Sequence, residues 1–155
     1  MTAALLSVHV LAAILTIGPV AVAASMFPRY ARQALTTPDA HAEAAVGVLH
    51  RITRVYAVIG IFVPVFGLAT GVSLGVLTDA WLVVSVVLTA VAATLLAYAI
   101  IPAQADVLHA LGASRLDPGR AARRLGMLTG SFNLLWAVVV VLMIVRPGST
   151  TGAGL

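Results

Sequence analysis

The sequence predicts an all-α protein, a four-transmembrane-helix antiparallel bundle with both termini outside. Three observations carry that prediction. Of the 155 residues, 61% are hydrophobic and 9% charged, with a mean hydropathy of +1.10; soluble domains run at about 45–50% and about 25%. The apolar residues gather in four runs, 3–27, 55–77, 81–101 and 125–145, each long enough for a hydrocarbon core that needs ~20 helical residues. The basic residues lie almost wholly on one side of those runs. A chain of this length has room for one membrane domain, 1–148, followed by a Gly/Thr-rich tail, 149–155, that reads as disordered.

The first run, Ala3 to Phe27, holds no Asp, Glu, Lys or Arg, and no basic residue precedes it. A signal peptide would carry a basic start and a shorter apolar core, so the run reads as a retained span. Gly18-Pro19 is expected to bend it, and Arg29, Tyr30 and Arg32 to end it at an interface. Residues 33–49 are polar and alanine-rich. Asp39, after Pro38, is a candidate N-cap for a helix starting near Ala40, which continues past His50, Arg51 and Arg54 into the second span.

Thr78-Asp79 is too short for anything but a hairpin turn, so spans two and three are antiparallel. Trp81 and Tyr98, near the two ends of span three, fit interfacial anchors. Pro102 marks an exit or a kink. Asp117-Pro118-Gly119 is a turn signal, and Arg146-Pro147-Gly148 stops the fourth span.

Orientation follows from the arginines. Arg29, Arg32, Arg51, Arg54, Arg115, Arg120, Arg123 and Arg124 fall in the two longer polar segments, and Arg146 alone on the opposite side. Positive charge is retained in the cytoplasm, which puts both polar loops inside and both termini outside. The same bias accounts for the net charge of +4 without invoking nucleic acid.

Composition also excludes chemistry. There is no Cys and no Lys, so disulfides, thiolate metal sites, Schiff bases and P-loop lysines are out. No span carries Asp or Glu, which disfavours a carboxylate proton relay or an ion-coupled transporter. The lipid bilayer is the expected surrounding medium.

The most patterned stretch is Gly60 to Gly75, GIFVPVFGLATGVSLG. Gly60, Gly67, Gly71 and Gly75, with Pro64, recur at three- and four-residue spacing and would share one smooth helix face. Helices in lipid associate by close backbone packing over small residues, so span two is expected to be the central stave, its glycines the packing face.

Among polar residues at depth, His9 is foremost. It lies about 9 Å below the outer boundary at ~1.5 Å per residue, and ionisable groups there usually face an interior or a cavity. It suits an axial heme ligand, a quinone contact or a proton-handling group, or a packing imidazole bonded to a carbonyl or to a hydroxyl such as Ser7 or Ser73. Asn133 and Trp136 are the polar groups inside span four, Asn133 fitting a cross-helix hydrogen bond. Arg51 and Arg54 fit a cytoplasmic interface, their stems snorkelling to headgroups. His50 and His109 read as solvated or interfacial rather than as a metal pair. They lie a membrane thickness from His9, so a bis-histidine heme within one chain is not expected. A second ligand would be Met143 or the His9 of another copy.

The order of an early His in LLSVHVLAAILTIGPV, an Arg-bearing loop, HRITRVYAVIGIFVPVFGLATGV and an exit through IIPAQ resembles the DUF2269 family of predicted bacterial integral membrane proteins, as far as about Val145. That resemblance implies the four-span layout and a bacterial cytoplasmic membrane. The chain is also similar, in His9 and Phe27-Pro28-Arg29-Tyr30, to the HemJ-type membrane protoporphyrinogen oxidases, where the early His is implicated in heme binding. That family's basic residue in span three has no counterpart here. Two functions are therefore expected as alternatives. One is a non-enzymatic bundle acting by assembly with itself or other membrane subunits. The other is a heme-b or quinone-binding redox protein using His9.

Overall fold

A computed structural model describes residues 2–37, 39–111 and 116–148. The tail 149–155, Pro38 and Arg115 lie outside the described residues. Among the described residues the chain is helical, with no strand: α1 (Thr2–Thr36), α2 (Ala40–Ile59), α3 (Phe62–Leu74), α4 (Ala80–Leu95), a π-helical turn (Leu96–Ile100), α5 (Ile101–Ala110) and α6 (Pro118–Val145). These form four rods, α1, α2–α3, α4–α5 and α6, each long and apolar enough to cross a membrane. Leu11, Ile14, Val58, Ile61, Val87, Leu134 and Ile144 are all exposed, a greasy exterior that suits lipid rather than water. The protein is a multi-pass membrane four-helix bundle.

The rods run further than the hydropathy of their apolar runs suggests, because prolines are absorbed rather than obeyed. α1 passes through Pro19 and Pro28 and ends at Thr36, not at Arg29–Arg32. Pro28 has no N–H for the carbonyl of Ala24; the Thr129 hydroxyl of α6 donates to that oxygen instead, at 3.4 Å. At Pro64 the chain opens between α2 and α3, and Val63 N–H takes the Gly60 carbonyl at 3.1 Å. Before Pro102 the helix widens by one π turn, in which Ile101 N–H reaches back to Leu96 O. The rod then continues to Ala110, so Pro102 is a local adjustment within the helix and not its exit.

Caps set the remaining ends. Asp39 has extended backbone (φ −139°, ψ 103°) and its side chain accepts from His41 N–H at 2.9 Å, while the Gln33 amide donates to its other oxygen at 2.6 Å. Asp117 caps α6 through Arg120 N–H, with Pro118 opening the helix rather than a separate turn. At the other end Arg146 adopts φ 46°, and the helix stops.

The His41 amide, chiefly, holds the Asp39 carboxyl below its ordinary 3.8. A carboxylate bound more tightly in the folded state contributes stability above its unfolded pKa and loses it as pH falls through the folded one. The expected result is that the Asp39 carboxyl ¹³C resonance in micelles titrates with its midpoint below the ordinary 3.8, with fraying of the first turn of α2 as pH falls through it. An Asp39 midpoint at or above that ordinary value would show that the His41 amide does not hold the carboxylate.

The centre of the bundle is α1, not the second rod. α1 packs on α2, α3 and α6, while α3 and α4 touch sparingly across their turn and α2 meets α5. The reason is the residues at the contact. Val20, Ala23, Ala24, Phe27, Ala31 and Ala34, at three- and four-residue steps, are all buried, and mostly alanine, so neighbouring backbones come close. α3 buries only Val63, Thr70 and Gly71 and turns Phe62, Val65, Leu68 and Val72 outward. Phe27 and Phe132, almost without exposure, anchor the inner and middle parts of the core.

Candidate functional site

His9 is drawn into the bundle from α1 onto α3. It is 7% exposed, and its Nδ1 lies 2.9 Å from the carbonyl oxygen of Val63. A carbonyl only accepts, so Nδ1 carries the hydrogen, and in the neutral ring Nε2 is left as the acceptor. The ring can sit there because position 67 is glycine. A Cβ on Gly67 would stand 2.9 Å from His9 Cε1 and 3.2 Å from Nδ1. Ser7 and Ser73 do not take part; each bonds a carbonyl of its own helix.

The four glycines of the second rod do different jobs. Gly67 seats His9, and Gly71 faces the Leu82 and Leu77 methyls. Gly60 lies at the opening before Pro64, where the atoms nearest a Cβ belong to its own preceding turn, Tyr56 O at 3.0 Å and Ala57 O at 3.4 Å. Gly75 ends α3 at φ 70° with nothing within 4 Å of a Cβ. The shared packing face expected for Gly60, Gly67, Gly71 and Gly75 is thus reduced to Gly67 and Gly71. Pro64 breaks the helical register on one side, and the left-handed cap takes Gly75 out of it on the other.

A second polar cluster joins α2 to α5. His50 Nδ1 lies 3.1 Å from Gln104 Oε1, the Gln104 amide donates to Thr53 Oγ1 at 3.4 Å, and the Thr53 hydroxyl donates to Leu49 O at 2.9 Å. Every donor points the same way along this chain, and Gln104 and Thr53 have no exposure. His50 is therefore buried and bonded, not solvated, while His109 and Asp106 remain exposed. Arg51 and Arg54 are exposed. Among the described residues no group of three or more His, Cys, Asp or Glu could hold a metal ion.

Asn133 donates from Nδ2 to Ser25 Oγ across the α1–α6 seam, at 3.0 Å. Its Oδ1 and the neighbouring Trp136 Nε1 are buried without a partner among the described residues. Trp81 is buried rather than an anchor at the surface: its indole N–H donates to Asp79 at 3.0 Å, and the Arg146 guanidinium covers its ring at 5.3 Å. Tyr98, by contrast, is 81% exposed.

Sequence reasoning singled out His9 and Asn133, and missed Val63, Ser25, Gln104 and Thr53 as partners. Gln104 carried a signal, being the one glutamine in the apolar third rod, two residues after its proline. A backbone carbonyl such as that of Val63 leaves no trace in side-chain identity. No family model, curated protein or solved structure matches the chain.

Proposed function

We propose that this membrane bundle is non-enzymatic and works by assembling with itself or with other membrane subunits, as a DUF2269-like protein of a bacterial cytoplasmic membrane. The observation that carries this reading is on α6. Gly126 and Gly130, one turn apart, are exposed, and among the described residues no neighbouring element lies within 4 Å of where their Cβ atoms would stand. The Gly67–Gly71 face, in contrast, is filled from within by His9 and Leu82. An open pair of glycines lets a second helix approach to backbone distance, which is what helix association in lipid requires. Light scattering in mild detergent is expected to find an oligomer, and Gly126→Leu with Gly130→Leu to abolish it while helix content stays the same. An oligomer that survives both leucines would refute assembly through this face.

The second reading, a heme-b or quinone-binding protein, rests on the His9–Val63 bond. A histidine that ligates a metal commonly donates its other ring N–H to a carbonyl, which fixes the ring and leaves the second nitrogen for the ligand. His9 fits that role through Nε2, and a heme there would supply one-electron chemistry. Val63 and Gly67 orient the ring, and Met143 or another copy's His9 would complete the ligation. Porphyrin oxidation is not part of this reading, because Trp81–Ile101 carries no basic residue. A Soret band that sharpens with dithionite and vanishes in His9→Ala is the expected result. A visible spectrum that His9→Ala leaves unchanged would count against His9 as the heme ligand.

A further inference from the structure

We infer that the inner end of α6 holds the phosphate headgroup of an anionic phospholipid from the cytoplasmic leaflet. A groove of about 540 Å³ is lined by Gly119, Arg120, Arg123, Arg124, Met127 and Leu128. Arg120, Arg124 and Leu128 recur every four residues, and Arg123 with Met127 forms the adjoining line, so both lines run charged then apolar down one side of the helix. At ~1.5 Å per residue Met127 sits about 5 Å deeper than Arg124, and it is 67% exposed. A free phosphate would engage only the arginine end. A lipid fills both, its phosphate on the guanidinium groups and its first acyl carbons along Met127 and Leu128. That continuity is why a lipid is the occupant.

The charges are available for it. Arg120, Arg123 and Arg124 are exposed, and among the described residues no arginine side chain has a carboxylate within 4.0 Å. Asp106 and Asp117 line a smaller adjoining groove of about 120 Å³ together with Arg120 and Arg124. Asp117 is turned to its cap, where its Oδ1 accepts the Arg120 backbone N–H at 2.6 Å. Arginine is the residue suited to this ligand, because its planar fork donates two parallel bonds to phosphate oxygens. The arginine bias puts this end of α6 at the cytoplasmic face, where anionic lipids attract basic side chains.

The test uses the full chain purified in mild detergent, with dioleoylphosphatidylglycerol added and its retention followed by native mass spectrometry and thermal unfolding. Phosphatidylglycerol is expected to bind and raise the unfolding temperature, with dioleoylphosphatidylcholine and inorganic phosphate at equal concentration doing neither. Arg120→Gln with Arg124→Gln should weaken phosphatidylglycerol binding on the order of tenfold. Arg29→Gln with Arg32→Gln removes the same charge from the same face and should leave it nearly unchanged. Equal loss in the two double variants would make this a diffuse charge effect and overturn the site. Phosphatidylcholine matching phosphatidylglycerol would overturn it too, and inorganic phosphate matching it would assign the arginines to a soluble anion. In the wild-type protein alone, added salt must weaken phosphatidylglycerol retention. Retention indifferent to salt also refutes the inference.

Discussion

Gly67→Leu is expected to lower the stability of the bundle by roughly 2–4 kcal/mol, from overpacking (~1–3) together with loss of one hydrogen bond (~1). The cause is local and already visible with a single added carbon. A Cβ at this position stands 2.9 Å from His9 Cε1, closer than real side chains approach, and a leucine would add three more carbons. The imidazole has to leave the Val63 carbonyl, 2.9 Å away, and α1 loses its polar tie to α3. Gly71 makes an instructive contrast. Its Cβ would meet Leu82 Cδ2 at 2.9 Å, but a leucine methyl swings aside by rotation, and alanine gains about 1 kcal/mol of helix propensity over glycine. Gly71→Ala should therefore be close to neutral or stabilising. Thermal unfolding in one detergent orders the variants, and the His9 imidazole ¹⁵N resonances report whether the ring has moved. A Gly67→Leu protein with wild-type stability and unshifted His9 resonances would show that the ring does not rest on this glycine. Adding His9→Ala to Gly67→Leu removes the clash and should restore part of the loss.

Gln104→Leu is the second large effect, expected to cost about 1–3 kcal/mol, the range for a buried donor left without its acceptor. Leucine nearly matches glutamine in volume, so the packing between α2 and α5 is kept and the polar term is isolated. The His50 Nδ1–H loses its acceptor at 3.1 Å in a place where water is scarce. Thr53 suffers less, since its own hydroxyl still donates to Leu49 O at 2.9 Å, and the bond it accepted was long. Replacing both ends, His50→Leu with Gln104→Leu, should then be less damaging than the sum of the single changes, because two apolar partners leave nothing unpaired. A double-mutant cycle read by thermal unfolding measures that coupling. Strict additivity would mean that the two side chains do not depend on each other.

The pairing behind both predictions depends on what lies across from a residue, and that is where the sequence and the structure part. The four rods, the Asp39 cap and the stop at Arg146 are all written locally. Apolar run length against bilayer thickness predicts the rods, and single side chains meeting nearby backbone groups set the two ends. The extent of each rod is not local. The carbonyl freed by Pro28 finds Thr129 on another helix, so α1 runs on past Arg29–Arg32, where an interface was expected to end it.

Gly67 shows the same division at the candidate site. Its spacing with Gly60, Gly71 and Gly75 suggested one packing face around a central second span, but spacing describes a face only while the helix register holds. Pro64 interrupts it below and the left-handed Gly75 above. What remains of the stripe receives a side chain from α1, the rod that the alanine-rich contacts place at the centre. His9 as a buried polar residue was legible from its depth in an apolar run, whereas its acceptor is a backbone carbonyl, identical in every residue. Gln104 was legible only as an isolated polar letter beyond a proline, and His50 as one more histidine near arginines. By itself, then, the sequence determined a membrane-spanning four-helix chain, the end-caps at Asp39 and Arg146, and the arginine-rich side. Tertiary structure alone decided that α1 is the core, that Gly67 is a seat for His9, and that His50, Gln104 and Thr53 form one hydrogen-bonded line. Hydropathy and capping act over a few neighbouring residues, while helix packing in lipid turns on which small residue meets which side chain across tens of positions in the chain.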